Sequence, residues 1–515
     1  MSEPGGSPSQ AVFALLQDPR THGLSEPVTR IDTHGAAVFL AGPDVYKVKR
    51  AVRFPFMDFS TLAKRRAACE AEITVNRANA PGIYLGVVPI TREGGGLRLG
   101  GDGEVVEWAV HLRRFDETAT LDRLAAKGPL GAGLIDALAL AVADAHRRAP
   151  RRDGAAATRT LRRLLVETAD ALVEAGALFD AEAAAAYGAA LVARFDHAEP
   201  LLLARAARGQ VRRCHGDLHL GNLALIDGAP VLFDAIEFDE AIATCDVLYD
   251  LAFLVMDLCE RDLVADANRL LNRYLGAAED AELQIAGLAA LPLFLSLRAA
   301  IRAKVLVAQL RQTDAAPDLG RQARAYFAAA QRFLAPPPPV LVAVGGLSGT
   351  GKTALAARLA PMLGAAPGAL HLRSDVERKR LSGVAETERL DALAYRPAAA
   401  QAVYRRLASL AEAGLRAGQA VIVDATHQRP ETRAAIAAVA VRARTGFVGL
   451  WLDAPTEVRA RRVADRRGDA SDADAAVVAA QANQDVGAVD WPRLDAARPL
   501  EALVEAAMAA VRSRT

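Results

Sequence analysis

The chain has 515 residues, 52% of them hydrophobic and 24% charged, with a formal net charge of +1. That length predicts two or three domains with ample core, and the balanced charge argues against a global field that would recruit nucleic acid. Four cysteines (Cys69, Cys214, Cys245, Cys259) form no CxxC pair, which points to a reducing compartment. The opening MSEPGGSPSQ has no basic segment leading into an apolar one, so no secretory signal and a cytoplasmic setting are expected. The most apolar stretch, Ile285 to Leu297, contains Pro292 and is expected to end at Arg298, too short to span a bilayer. Of 62 basic residues only seven are lysines, and Lys47, Lys49 and Lys352 all fall in stretches suited to phosphate.

In chain order, residues 1–24 are expected to be a flexible N-terminus with a short helix over Ala11 to Leu16. Alternation from Arg30 to Arg50, broken by the Pro43-Asp44 turn, predicts two antiparallel strands with Lys47 and Lys49 on one face of the second. Asp58 to Asn79 reads as a helix with Ser60 as its cap, carrying Glu70 and Glu72. Strands over Tyr84 to Pro89 and Glu104 to Phe115 follow, joined across a GGG turn. Leu121 to about Arg208 is expected to be helical and alanine-rich, and the helices of 157–207 carry no chemical signature.

Residues 214–239, CHGDLHLGNLALIDGAPVLFDAIEFD, predict a loop followed by a β-hairpin turning at Asp227-Gly228. Phosphoryl transfer needs a carboxylate for the acceptor hydroxyl, and an amide oxygen and a second carboxylate for Mg²⁺. Asp217 suits the first role; Asn222 and Asp234 suit the others. The wording HGDLHLGN…FD resembles the aminoglycoside phosphotransferase and choline-kinase branch of the protein-kinase fold. The continuation FDAIEFDEAIATCDVLYDLAFLVMDL is similar to a bacterial aminoglycoside-phosphotransferase-like subgroup. The resemblance implies a bilobal kinase-like domain in which Lys47, or else Lys49, reaches the ATP phosphates. It implies that Glu72, or less favourably Glu70, pairs with that lysine, and that Leu112 to Phe115 form the adenine hinge. Asp246 and Asp250 share one helical face, and either a site role or helix capping fits them.

Four prolines at 336–339 predict a stiff spacer and a domain boundary. Directly after it, VLVAVGGLSGTGKTALAARLAPML is strand, glycine-rich turn and helix, with a complete Walker A motif from Gly346 to Thr353. The backbone of Gly346, Ser348, Gly349, Thr350 and Gly351 would cradle phosphate, with Lys352 on the β- and γ-phosphates and Thr353 on Mg²⁺. HLRSDVERKRL resembles the polynucleotide-kinase and zeta-toxin type of P-loop kinase. That likeness implies Asp375 as acceptor-facing base, Arg378 as phosphate or acceptor contact, and Arg462 or Arg466 as lid arginine. Asp424 fits a second Mg²⁺ ligand or a cap for the helix that follows it.

The expected fold is therefore α/β and α+β in two domains. Residues 25–335 would be the kinase-like domain, and 340–515 a P-loop domain with a parallel sheet flanked by helices. The expected function is ATP- and Mg²⁺-dependent transfer to hydroxyl groups of small molecules at one site per domain, with no membrane or nucleic-acid partner. The rival is a single active P-loop kinase, acting on a small molecule or a nucleic-acid 5′-hydroxyl, with the kinase-like half as a regulatory ATP-binding module.

Overall fold

The computed structural model describes residues 8–54, 57–311, 317–465, 470–482 and 484–514. Two compact units emerge: Met1–Leu161 with Ala206–Asp257, and Arg162–Arg205 with Leu258–Thr515.

The first unit holds an antiparallel six-stranded sheet in the spatial order Thr29–Asp32, Ala36–Ala41, Asp44–Lys49, Glu104–Arg113, Tyr84–Glu93, Gly96–Leu99. Period-two alternation turns Tyr46 and Val48 of the third strand to one face and Lys47 and Lys49 to the other. Val48 joins Phe39, Ile90, Val12 and Leu16 in one core. On the opposite face, Cys69 of the helix Leu62–Asn76 packs with Ile83, Tyr84 and Val110. This sandwich places both lysines beneath the helix that carries Glu72.

Four expectations are corrected here. The segment 1–24 is helical over Pro8–Gln17, because Val12 and Leu16 are buried in the sheet core. The helix expected from Asp58 begins at Leu62, since Met57–Asp58 pairs as a strand with Arg53–Phe54. Its cap is Thr61, which accepts the Lys64 N–H at 3.3 Å, while Ser60 turns to Asp58. The GGG turn leads into the short strand Gly96–Leu99 before Glu104 is reached.

In the second unit, five parallel strands run in the order Leu370–Arg373, Val421–Asp424, Val340–Gly346, Gly446–Asp453, Arg493–Asp495. Val340–Gly346 is central and buried throughout, the pattern of a parallel strand covered on both faces. Its core includes Leu355 and Leu359 of the helix Lys352–Leu359, and Leu503 and Val511 of Leu500–Arg512.

The prolines 336–339 lie inside this second unit, between the helix Pro317–Leu334 and the central strand, so the compact units divide at other points than the spacer. The apolar stretch near Ile285 also runs further than expected. A helical run of 30 residues, Ala281–Leu310, is long and apolar enough to cross a membrane, but 83% of its most apolar window is buried inside the protein. Pro292 sits in the first turn of Leu291–Leu310, where no N–H is needed, and Arg298 is itself buried.

Candidate active sites

In the first unit the hairpin Leu223–Ile226 with Ala229–Leu232 turns at Asp227 and Gly228, both at positive φ (50° and 78°). That geometry matches strand twist and favours an Asp-Gly pair. The hairpin delivers Asp234, itself at φ 59°, where its N–H donates to the Tyr84 hydroxyl at 3.0 Å. The next N–H, of Ala235, donates to the Asn76 side chain at 2.8 Å. A strained backbone is thus pinned from a sheet strand, through Tyr84, and from the helix Leu62–Asn76, through Asn76.

Lys47 Nζ lies 2.9 Å from Glu72 Oε1 and 2.9 Å from Asp234 Oδ1. Lys49 is no surface lysine: it pairs with Glu72 Oε2 at 2.5 Å and with Glu237. Glu72 is wholly buried, whereas Glu70 is exposed and bonds Arg66. Burial alone would lower the Lys47 pKa, but the Asp234, Glu72 and Glu237 charges hold it well above the usual value. Lys47 in turn draws the Asp234 pKa down against the effect of burial.

Asp217 is held by Asn222, whose amide nitrogen donates to its backbone carbonyl at 2.9 Å and to Oδ2 at 3.0 Å. This turns the Asn222 side-chain oxygen away from Asp217. The loop is braced from the helix on which Asp246 and Asp250 share a face, and by His146 and Asp257, which spacing did not single out. Asp250, fully buried, accepts the N–H of Gly216 at 2.8 Å and of His215 at 3.2 Å, and meets His146 Nε2 at 3.1 Å. Asp257 accepts the Leu220 N–H at 3.0 Å. Asp246 instead accepts from Leu248 at the helix start, so the shared face splits into a loop brace and a cap. Burial lowers the His215 pKa against the opposing Asp250 and Asp217 charges, and its Nε2 lies 2.9 Å from the Phe233 carbonyl. In the expected hinge, the Arg113 and Arg114 N–H groups already donate to Ile83 and Pro43.

In the second unit, Gly346, Gly349 and Gly351 all have positive φ, and a Cβ on Gly349 would fall 2.6 Å from the Arg459 carbonyl oxygen. The loop can therefore wind as phosphate binding requires, and at Gly349 only glycine fits. Lys352 Nζ donates to the Leu347 carbonyl at 3.0 Å, and the buried Thr350 hydroxyl to the same oxygen at 2.9 Å. Ser348 N–H donates to Gln481 Oε1 at 2.8 Å, a contact with no signal in the sequence.

Thr353 Oγ1 donates to Asp424 Oδ2 at 2.6 Å. Asp424 does not cap the next helix, Pro430–Ala443, which begins after Arg429. Burial would raise its pKa, but His371, 3.4 Å away, with Lys352 and Thr353, brings it down to about 2. Asp375 lies in the first turn of the helix Ser374–Leu381, just past the strand end. Burial and the Asp424 charge raise its pKa.

Arg378 donates to the Ala394 carbonyl at 2.7 Å and stacks on Tyr395. Arg462 reaches the Thr350 carbonyl at 3.4 Å. Arg466 lies outside the described residues. Asp472 gathers Lys379 (3.0 Å), Tyr395 Oη (2.7 Å) and Leu390 N–H (3.1 Å), tying its segment to the Asp375 helix.

Comparison with known proteins follows these two halves. Residues 341–484 match the family described as "AAA domain". The uncharacterized protein Rv2004c of Mycobacterium tuberculosis is 30% identical over 498 residues, which are 91% of this chain and 92% of the relative. Mb2027c of Mycobacterium bovis matches to the same extent. The chain belongs to their family.

Among solved structures, it is similar to a choline/ethanolamine kinase family protein from Mesorhizobium loti (15% identity, 63% of this chain and 94% of that one, TM-score 0.36). It is also similar to a gluconokinase from Sinorhizobium meliloti (22% identity, 34% and 93%, TM-score 0.24). The matched AAA domain, residues 341–484, spans the central strand, the glycine-rich loop from Gly346 to Thr353 and Asp375 and Asp424.

Proposed function

We propose that this protein is an ATP-dependent phosphotransferase with one Mg²⁺·ATP site in each half, transferring the γ-phosphate to hydroxyl groups of small-molecule acceptors. The observation that carries the reading is the pairing, in each half, of a phosphate-directed lysine with oxygen ligands suited to Mg²⁺. In the first half Lys47 is fixed between Glu72 and Asp234, and the amide of Asn222 holds Asp217 through its nitrogen. In the second, Lys352 stands in the glycine loop beside Thr353 and Asp424, 2.6 Å apart. Amide, carboxylate and hydroxyl oxygens are the hard donors that Mg²⁺ takes alongside water and phosphate.

Asp217 accepts the proton as the acceptor oxygen attacks the γ-phosphorus and the bond to the β-phosphate oxygen breaks, releasing ADP. Asp375 takes the same part in the P-loop half, where its raised pKa makes it the stronger proton acceptor. Bound Mg²⁺ would offset negative charge on the phosphates. The lysines and loop amides orient the nucleotide, and Arg462 or Arg466 would offset charge developing on the transferred phosphate. The four cysteines are free and buried, and a cytoplasmic location, where ATP is supplied, belongs to this reading.

The test uses the full chain, ATP and a panel of hydroxyl metabolites. Asp217→Asn should lower one transfer activity by about 10²–10⁴ and leave ATP binding intact. Lys352→Ala should remove nucleotide from the other site only. If either single change abolished every transfer the panel reveals, the two-site reading would fall.

A further inference from the structure

The edge strand of the parallel sheet, Leu370–Arg373, has an open side. Leu370 N–H points inward to the Ala420 carbonyl at 2.8 Å, so by strand alternation the His371 N–H points outward. An unpaired edge donor would be costly to bury. The helix Val264–Ala277 occupies that side with side-chain amides. Asn272 Oδ1 accepts the His371 N–H at 2.8 Å, and its Nδ2 lies 3.2 Å from the Ala369 carbonyl. Asn268 Nδ2 donates to the same carbonyl at 2.9 Å. Two asparagines on successive turns thus do what a neighbouring strand would do.

The contact continues inward. His371 Nε2 lies 3.4 Å from Asp424 Oδ2, and that oxygen accepts from Thr353 at 2.6 Å. The same helical region holds the Asp375 helix from outside. Arg380 donates to the Gly276 carbonyl at 2.7 Å, Arg273 pairs with Glu386 at 2.6 Å, and Arg406 bridges Glu282 and Glu377.

We propose that the helix Val264–Ala277, which the sequence assigns to the kinase-like half, is a positioning element of the P-loop site. Asn272 fixes the edge strand so that His371 holds the Asp424 carboxylate against Thr353. The inference rests on the reading of Thr353 and Asp424 as Mg²⁺ ligands. Its consequence is that the P-loop half loses ordered metal ligation when cut at the prolines, although its Walker A motif stays complete.

The experiment uses the full chain carrying Lys47→Ala, which leaves the P-loop as the functional nucleotide site. Affinity for a non-hydrolysable ATP analogue is measured by calorimetry with and without Mg²⁺. Asn272→Leu should reduce the Mg²⁺-dependent gain in affinity by about tenfold, the scale for partners that orient metal ligands. Metal-free affinity, set by the loop amides and Lys352, should stay within about twofold of the parent.

His371→Leu should give the same loss without touching the helix, and the double variant should lose no more than either, as residues in one chain of contacts do. Arg406→Ala, which removes the neighbouring Glu282–Glu377 bridge and no contact of the helix Val264–Ala277, should lower Tm and leave the Mg²⁺ gain unchanged. An Asn272→Leu chain whose metal-free and Mg²⁺-bound affinities fall together, or do not fall, overturns the proposal. So does an Arg406→Ala chain that loses the Mg²⁺ gain. If the Lys47→Ala parent shows no Mg²⁺-dependent binding, the metal-site reading itself fails and takes this inference with it.

Discussion

Lys47 meets Glu72 and Asp234 across 25 and 187 residues of chain, whereas Lys352 rests on the Leu347 carbonyl five residues away. The first site is assembled by tertiary packing: strand, helix and hairpin each bring one charge into a space that burial makes electrostatically strong. The second is written into eight consecutive residues whose backbone supplies the field. One half is therefore sensitive to the loss of a single distant charge, and the other to changes in its own loop and in what positions the groups around it.

The largest effect should come from breaking the distant network. Glu72→Gln removes a buried carboxylate that both Lys47 and Lys49 share. Urea unfolding should show a loss of about 3–5 kcal/mol, the cost of leaving a buried charge uncompensated. A loss below about 1 kcal/mol would mean the network behaves as a solvated surface pair.

The next change sharpens the comparison on the chemical side. Asp375→Ala should cost about 10²–10⁴ in transfer by the P-loop half while ATP affinity, read by calorimetry, stays near the parent's. Unchanged transfer would make Asp375 a structural acid, since nothing in nucleotide binding calls on it.

The smallest effect is one of pH. The Asp424 pKa falls from 3.8 to about 2 on folding. A folded pKa below the unfolded one stabilises above the unfolded value, and that stabilisation is lost as pH falls toward the folded one. The stability difference between the parent and Asp424→Asn should therefore shrink by about 2 kcal/mol as pH drops through this window. Asp375 has the opposite sign. Its raised pKa favours the folded state at low pH, and that contribution is lost as pH rises through the folded value. A parent and an Asp424→Asn chain that lose stability in parallel would show that the His371 and Thr353 contacts do not hold the carboxylate charged.

This difference between the halves also governs what the sequence reveals. The Walker A loop, the Asp217–Asn222 spacing and the Asp-Gly hairpin are local, so residue type and spacing suffice to find them. The Lys47–Glu72 pair was legible only through resemblance, because no spacing rule ties a strand lysine to a helix glutamate. Asp250 was legible by its helical face alone, but its partner His146, Gln481 on Ser348 N–H, and Asn272 on His371 N–H were not. Each is a polar side chain reaching a backbone or ring atom far along the chain, and helical periodicity gives such residues the same pattern as solvated ones. The helix start at Leu62 was missed for a related reason, since the strand pair Arg53–Phe54 with Met57–Asp58 is two residues deep on each side. Arg298 misled in the other direction, as a charge that ends most apolar runs is here buried within one.

The scarcity of lysine has a practical corollary. Of the seven amines on side chains, Lys49 and Lys379 are locked in buried ion pairs, while the proposed function sets Lys47, itself paired with Glu72 and Asp234, and Lys352 at one nucleotide site each. An ATP analogue bearing an amine-reactive acyl phosphate would therefore leave its mark on two peptides distinguishable by mass. The ratio of the two adducts gives the occupancy of each site in a single digest, before any acceptor is known.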